Sequence, residues 1–185
     1  VEPVLKEFAE YIDVLDLGVN RGLSTATNYG VYQAKYDKIL LLNDDNVMSG
    51  RFDIALEELD TTNIVWSLNQ IEPFPSMFKQ FVIEDLGRDP NIFDLDYLNG
   101  LNDNLYRFHK STYMESEDGS TLPIFMNKLD YIKIGGWDIE YPGPYVVDWD
   151  FFLKCNLAGY RMMRTYSTHV YHFVSLSTNT TPERQ

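Results

Sequence analysis

The chain has 185 residues, the size of one domain, and 44% of them are hydrophobic, enough to form a core. Its formal net charge of -13 argues against a nucleic-acid partner and against docking on an anionic membrane, because basic residues are too few to neutralise phosphates. Cys155 is the only cysteine, so no internal disulfide can form, and no apolar run reaches the ~18 residues of a membrane span. We therefore expect a cytoplasmic protein with a single domain over residues 1–185.

The first part of the chain is predicted to alternate between helix and strand. Residues 2–11 read as a helix and residues 12–17 as a short strand. A turn at residues 20–24 follows, with Ser24 as the N-cap of a helix whose small residues recur at helical spacing over 26–34. These small side chains are suited to close packing on a sheet.

A continuous apolar run at residues 38–42 is typical of a buried parallel strand, and it ends abruptly in the polar segment 43–46. An amphipathic helix over 52–59 and a strand over 64–66 come next. Strands that alternate with helices predict an α/β domain with a mostly parallel central sheet flanked by helices. Ligands of such sheets bind beyond the carboxyl ends of the strands, where the segment 43–46 lies.

The middle of the chain, residues 70–121, lacks a clear period and holds Pro73, Pro75 and Pro90. A loop this long in a single domain is usually functional, and its aromatic content argues against disorder. We therefore predict an irregular segment with a functional role here.

Regular structure is predicted to resume over residues 123–134 and to stop at a Gly-Gly break. A loop then leads to a helix over 149–158, which Gly159 is placed to close in a left-handed cap. Two strands, at 161–165 and 169–174, complete the predicted core.

The segment Asn43-Asp44-Asp45-Asn46 is the first candidate for chemistry. Adjacent carboxylates at a strand end repel each other unless a cation or strong donors compensate. Oxygen ligands suit Mg2+ or Mn2+, which are often held by one or two carboxylates together with substrate phosphates. A solvated turn that caps the following helix is the alternative interpretation.

Asp148 and Asp150 flank Trp149 at the start of the predicted helix 149–158. A carboxylate there could act as a general base toward an acceptor hydroxyl. Either residue could instead be an N-cap or a favourable charge at the helix N-terminus.

His172 lies in a strand-like stretch and could complete a metal site that is otherwise made of carboxylate and phosphate. A lone histidine among apolar residues is more often a packed core residue. His169 should face the opposite side of the same strand, so at most one of the two reaches a shared site.

The turn Gly135-Gly136-Trp137-Asp138 combines two flexible residues with an aromatic ring. Glycines permit close backbone approach to a ligand, and aromatic faces pack against sugar rings. An ordinary turn with a half-buried tryptophan is the competing interpretation.

Taken in order, these patterns resemble the family 2 glycosyltransferases of the GT-A fold. In that family an Asn-x-Gly turn precedes a helix bearing an Asn, and a buried strand ends in an Asp-x-Asp type motif. A Gly-Gly-aromatic-Asp turn follows, then an acidic pair that opens a helix ending in Ala-Gly-Tyr, and last a strand ending in His. The matching residues are Asn20-Arg21-Gly22 with Asn28, Asn43-Asp44-Asp45, Gly135-Gly136-Trp137-Asp138, Asp148-Trp149-Asp150, Ala158-Gly159-Tyr160 and His172. The resemblance covers residues 15–173.

The resemblance implies a role for each of these residues. Asp45 and His172 would hold Mn2+ or Mg2+, and Asp148 would be the catalytic base, although Val147 stands where the family has Glu. The nucleotide-sugar donor, most commonly a UDP-sugar in the family, and the glycan or other hydroxyl acceptor would be bound by the remaining residues. These are Asn20, Arg21, Asn43, Asp44, Gly135, Gly136 and Trp137, the last three on the acceptor side.

The activity implied is an inverting single displacement. The family also begins with a strand, a helix and a second strand that nothing before Val1 supplies, so we expect an N-terminally incomplete catalytic domain. An inactive nucleotide-sugar or glycan binding module of the same fold is the main alternative. A sugar nucleotidyltransferase is a further alternative, but the Gly-rich loop with a basic residue that is usual near the first strand is not visible.

Overall fold

The computed structural model describes residues 2–75, 82–115, 122–141 and 146–174. In this part of the chain seven strands form one sheet in the order β1-β6-β3-β7-β2, with β4 beside β3 and β5 beside β7. The strands are β1 (Lys38–Leu41), β2 (Asn46–Met48), β3 (Ile64–Glu72), β4 (Val82–Ile83), β5 (Tyr113–Glu115), β6 (Ile124–Asn127) and β7 (Arg161–His172). The helices are α1 (Glu2–Glu7), α2 (Leu23–Gln33), α3 (Phe52–Glu57), α4 (Leu95–His109), α5 (Lys128–Ile134) and α6 (Val147–Leu157), with a 3-10 turn at Pro90–Ile92.

The prediction of an α/β domain is confirmed, but the sheet is mixed and not mostly parallel. The central pair β3 and β7 is parallel, as is β3 with β4, whereas β6 pairs antiparallel with both β1 and β3. β2 and β5 also run antiparallel to β7. The apolar run at 38–42, predicted to be a buried parallel strand, forms the antiparallel β1 at the end of the strand order. An apolar run indicates burial and does not fix strand direction.

Alternation along the strands divides the core between the two faces of the sheet. On β3, Val65 packs into a cluster with Trp137 and Phe151, which come from the α5–α6 part of the chain. Trp66 and Leu68 point the other way, into a cluster with Leu56 and Leu59 around α3. A third cluster packs α4 against the far ends of β3 and β7 through Leu98, Ile71, Tyr171 and Phe173.

Three predictions near the N-terminus are wrong. The helix predicted for 2–11 ends at Glu7, and residues 12–17 form no strand. Ile12, Val14 and Leu15 are exposed there, so their apolar side chains gain nothing from a strand conformation. Ser24 is not the N-cap of α2, because Gly22 holds that position with a φ of 82° and Ser24 is buried within the first turn.

The prediction of an irregular middle segment is wrong for residues 95–109, which form the 15-residue helix α4. Its N-cap Asp94 accepts the N–H of Tyr97 at 2.8 Å, and Leu98, Leu101 and Leu105 face the third cluster. Gly100 and the many Asn and Asp residues lower the intrinsic helix propensity and obscure this apolar spacing. Residues 76–81 and 116–121 lie outside the described part of the chain.

The C-terminal elements agree more closely with the predictions made from the sequence. The helix predicted for 149–158 is α6, and Gly159 closes it with a φ of 82° while Tyr160 donates its N–H to the carbonyl of Cys155. The two strands predicted after it are one long strand, β7, with a shift in register opposite Leu68 and Asn69. None of the described helices is long and apolar enough to cross a bilayer.

Candidate active site

Asp45 and His172 meet where β2 pairs with the end of β7. Asn46 lies directly opposite His172 in this antiparallel pair, and the N–H of Phe173 donates to the carbonyl of Asp45 at 3.0 Å. The carboxylate Oδ2 of Asp45 lies 3.5 Å from Nε2 of His172. The turn after β1 therefore delivers a buried carboxylate to a histidine near the other end of the chain.

Glu72 is the third member of this cluster, and sequence reasoning missed it. It is the last residue of β3, it is only 5% exposed, and its Oε1 lies 2.9 Å from Nδ1 of His172. The strand predicted for 64–66 is shorter than β3, so the prediction places Glu72 in the irregular segment and not beside β7. The sequence could have indicated this position if the predicted strand had been extended through Asn69-Gln70-Ile71, because Glu72 would then be its last residue.

The two carboxylates determine the charge of the imidazole. Burial alone would lower the pKa of His172, but hydrogen bonds and charge from Asp45 and Glu72 outweigh it and raise this pKa to about 9. In the metal-free protein at neutral pH, His172 is therefore an imidazolium between two acids. The positive charge lies where a bound cation would otherwise balance the carboxylates.

Two of these three side chains, Asp45 and His172, lie close enough together to be neighbouring ligands of one cation. Among the described residues no group of three or more His, Cys, Asp and Glu side chains can hold a metal ion. Asp45 and Nε2 of His172 are nevertheless 3.5 Å apart, and neighbouring ligands on an octahedral cation at about 2.1 Å lie about 3 Å from each other. The amide of Asn46, on the same face as His172, is buried and has no hydrogen-bond partner among the described residues. A polar ligand is thus expected here.

The Gly-Gly turn is built by α5 and held by α2. Gly135 and Gly136 have φ values of 96° and 63°, and their N–H groups donate to the carbonyls of Ile132 and Tyr131, both at 3.0 Å. Asn28 of α2 accepts the N–H of Trp137 at 3.0 Å and donates to its carbonyl at 2.8 Å. A side chain at Gly136 would collide with Asn28, so this position requires glycine.

Trp137 and Asn43 line one cavity of about 440 Å³ between α2 and β1. Leu23, Val31, Ile39 and Leu41 supply much of its apolar wall. Trp137 is 2% exposed, and its indole Nε1 is buried with no hydrogen-bond partner among the described residues. The tryptophan is therefore a core residue, more deeply buried than the half-buried tryptophan of the competing interpretation, and it also borders the cavity.

Asp148 lies in the first turn of α6 and Asp150 follows it, but the two are held differently. Burial raises the pKa of Asp148, against the opposing hydrogen bond from the N–H of Trp149 at 3.0 Å. Asp150 forms an ion pair with Lys154 at 2.9 Å on the same helix. The ion pair favours the interpretation of Asp150 as a residue that stabilises the helix. Asp148 is partly buried, and its pKa is raised.

The remaining predicted residues make local contacts. Asn20 accepts the N–H of Gly22 at 2.9 Å in an exposed turn, and Arg21 and Asp44 are exposed. His169 is 1% exposed, and burial lowers its pKa to about 4. His169 is therefore a packed, neutral core residue, and only His172 of the two lies beside Asp45.

Comparison with known proteins defines the fold and does not define a family. No protein-family model matches the chain, and no curated protein matches it. A solved structure, the crystal structure of GalNAc-T7 with UDP, GalNAc and Mn2+, matches with a TM-score of 0.63 and 11% identity. The match covers 92% of this chain but only 33% of that one, so the chain spans about a third of its length. The fold is therefore similar to a GT-A glycosyltransferase domain.

Proposed function

We propose that this domain is a glycosyltransferase that moves a sugar from a nucleoside-diphosphate donor to a hydroxyl acceptor with the help of Mn2+ or Mg2+. The observation that carries the proposal is the convergence of Asp45 and His172, 3.5 Å apart, in a fold similar to that of a glycosyltransferase crystallised with UDP and Mn2+. The proposed donors are UDP-sugars. We also propose, from the patterns in the sequence, that the chain is related to the family 2 glycosyltransferases.

The donor site is proposed at the carboxyl end of β1. Asp45 Oδ2 and His172 Nε2 would hold the cation, and the oxygens of the donor diphosphate would complete its coordination. A bound cation would neutralise the negative charge that develops on the departing diphosphate. Asn43 and Asp44 lie in the same turn, and Asn20 and Arg21 lie just before α2, which borders the cavity. These four residues are proposed to contact the donor.

The acceptor is proposed to react at Asp148. Its carboxylate takes the proton of the acceptor hydroxyl, the acceptor oxygen bonds to the anomeric carbon, and the bond from that carbon to the diphosphate oxygen breaks. Burial raises the pKa of Asp148, which makes this carboxylate a stronger base than an exposed one. Attack opposite the leaving group inverts the anomeric carbon. Gly135, Gly136 and Trp137 are proposed to border the acceptor.

A thermal-shift measurement with UDP, with and without Mn2+, tests the donor site. A ligand at about 100 times its dissociation constant adds about 2.7 kcal/mol to the stability of the folded state. We expect a rise in Tm that needs both UDP and Mn2+ and that disappears in Asp45→Ala. Asp53→Asn removes an exposed carboxylate of α3 and serves as the control, with a shift equal to that of the unsubstituted protein. An equal shift without Mn2+ would contradict the cation site.

Turnover is tested separately, by the release of UDP from UDP-sugars in the presence of Mn2+ and candidate hydroxyl acceptors. Release that is lost in Asp45→Ala supports the transferase. Metal-dependent binding without UDP release from any donor would contradict the enzyme and favour the binding module of the same fold.

A further inference from the structure

We propose that Glu72 is a positioning residue of this site: it engages Nδ1 of His172 and so directs Nε2 toward Asp45 and the cation. The role rests on the proposed function, because it concerns the cation of the same site. It is carried by a geometry that joins the three side chains, with 2.9 Å from Glu72 Oε1 to Nδ1 and 3.5 Å from Asp45 Oδ2 to Nε2.

The backbone of Glu72 is fixed on both sides. On one side β3 runs parallel to β7 with Ile71 opposite Tyr171, which sets Glu72 beside His172. On the other side Glu72 pairs with Ile83 of β4, and the N–H of Glu84 donates to the carbonyl of Glu72 at 3.0 Å. With the side chain 7% exposed, the carboxylate has little freedom to leave the imidazole. The carboxylate of Glu72, which faces Nδ1 of His172, is therefore held in place.

The geometry separates the roles of the two acids. The ring nitrogens of an imidazole point away from each other, so a group bonded to Nδ1 does not share a cation with Nε2. Asp45 is on the Nε2 side and Glu72 on the Nδ1 side. A histidine that binds a metal commonly donates its other ring N–H to a carboxylate, which fixes the tautomer and the orientation of the ring. Glu72 provides that acceptor.

His169, a second histidine on β7, is an example of a histidine that is only packed in the core. His169 is buried as completely as the core residues around it, yet its Nδ1 has no hydrogen-bond partner among the described residues. Burying a carboxylate costs free energy, which its pairing with His172 must offset, and His169 packs in the core without such a partner. The presence of Glu72 on His172, and not on His169, follows from a role at the cation site.

The test measures the affinity for Mn2+ in the presence of UDP, from the electron paramagnetic resonance signal of free Mn2+. Loss of such a carboxylate acceptor weakens metal binding by about 10–100-fold, and we expect a loss in this range for Glu72→Leu. Glu72→Gln should keep the affinity within a few-fold, because the amide oxygen still accepts the Nδ1–H. Glu72→Asp moves the carboxylate away from the ring, so its affinity for Mn2+ should lie between those of Glu72→Gln and Glu72→Leu. It replaces Glu72→Leu in the test if Glu72→Leu does not fold.

A second readout reports the ring directly. In protein loaded with Zn2+ and UDP, the 15N chemical shifts of His172 should show a protonated Nδ1 in the unsubstituted protein and in Glu72→Gln, and this pattern should be lost in Glu72→Leu. Glu84→Gln is the matched control, since Glu84 is the adjacent carboxylate and bonds to Tyr97 at 2.9 Å. It should leave both readouts unchanged.

The outcomes distinguish the two proposals. If the unsubstituted protein binds no Mn2+ with UDP, the proposed function fails and the role of Glu72 fails with it. If it binds Mn2+ and Glu72→Leu binds equally well, only the positioning role is overturned. Equal losses in Glu72→Gln and Glu72→Leu would also overturn it, because charge and not the orientation of the ring would then matter.

Discussion

Asn28 binds the backbone of Trp137 on both sides, accepting its N–H at 3.0 Å and donating to its carbonyl at 2.8 Å. The same amide oxygen accepts the hydroxyl of Tyr131 at 2.6 Å. One side chain of α2 thus fixes the turn after α5 and the cavity wall formed by Trp137. Hydrogen bonds thus join α2, which precedes the segment 43–46, to the Gly-Gly turn far along the chain.

Asn28→Ala should destabilise the protein by about 2–4 kcal/mol, because it leaves the N–H and carbonyl of the buried Trp137 and the hydroxyl of Tyr131 without this partner. Denaturant unfolding measures the loss. Asn20→Ala, which removes one contact in an exposed turn, should cost well under 1 kcal/mol and is the control. Equal effects of the two substitutions would show that the Asn28 bonds contribute little.

Gly136→Ala should be more destabilising than Gly135→Ala. Both glycines have positive φ, which costs an alanine about 1–2 kcal/mol. At Gly136 an added Cβ would also lie 2.6 Å from Oδ1 of Asn28 and 2.9 Å from Cε1 of Tyr131, whereas at Gly135 it meets nothing within 4 Å. Overpacking adds about 1–3 kcal/mol at the first position only. Thermal unfolding of the two variants should separate by several degrees, and a reversed order would contradict the contact.

The stability of the metal-free protein should depend on pH through His172. Its pKa is raised from 6.5 to about 9, so the folded state holds the proton more tightly than the unfolded state. The resulting stabilisation is complete below pH 6.5 and is lost as the pH rises through 9. The difference in Tm between the protein and His172→Gln, measured in EDTA, should therefore shrink between pH 6.5 and pH 9.

His169→Gln provides the control with the opposite sign. Burial lowers the pKa of His169 from 6.5 to about 4, so its stabilising contribution is present above pH 6.5 and is lost as the pH falls toward 4. The difference in Tm between this variant and the parent should therefore change only as the pH falls from 6.5 toward 4, because the parent loses stability there. A difference for His172→Gln that stays constant from pH 6 to pH 10 would contradict the contacts with Asp45 and Glu72.

Asp148→Asn should lower kcat for sugar transfer by about 10²–10⁴-fold and leave the binding of donor and Mn2+ intact, because an amide cannot take the acceptor proton. Asp150→Asn is matched in position and chemistry, and it should lose only the ion pair with Lys154 and keep its turnover. Steady-state kinetics compare the two.

The stereochemistry of transfer is a separate prediction. With Asp148 as base in a single displacement, the first product formed should carry the anomeric configuration opposite to that of the donor. Proton NMR of the reaction at early times reads the anomeric coupling constant. Retention of configuration would contradict this mechanism while leaving the transferase itself in place.

Features that depend on short stretches of sequence could be predicted. The acids after an apolar run, the glycines that require positive φ and the carboxylate at a helix start each follow from the chemistry of a few adjacent residues. Gly159 closes α6 as expected, and Asp45 and Asp148 lie at a strand end and a helix start. The ordered set of patterns then indicated the fold type, which the structural match to a glycosyltransferase confirms.

The tertiary structure alone decided what depends on pairing between distant segments. Strand register and helix packing set three of these features: the antiparallel direction of β1 and β6, the position of Glu72 beside His172, and the hydrogen bonds of Asn28 to Trp137. A local pattern cannot encode them, because each contact joins residues far apart in the chain and its geometry is fixed only when the whole sheet forms. The sequence by itself therefore determined which residue types stand at the strand and helix ends, and the assembled sheet decided which of them meet.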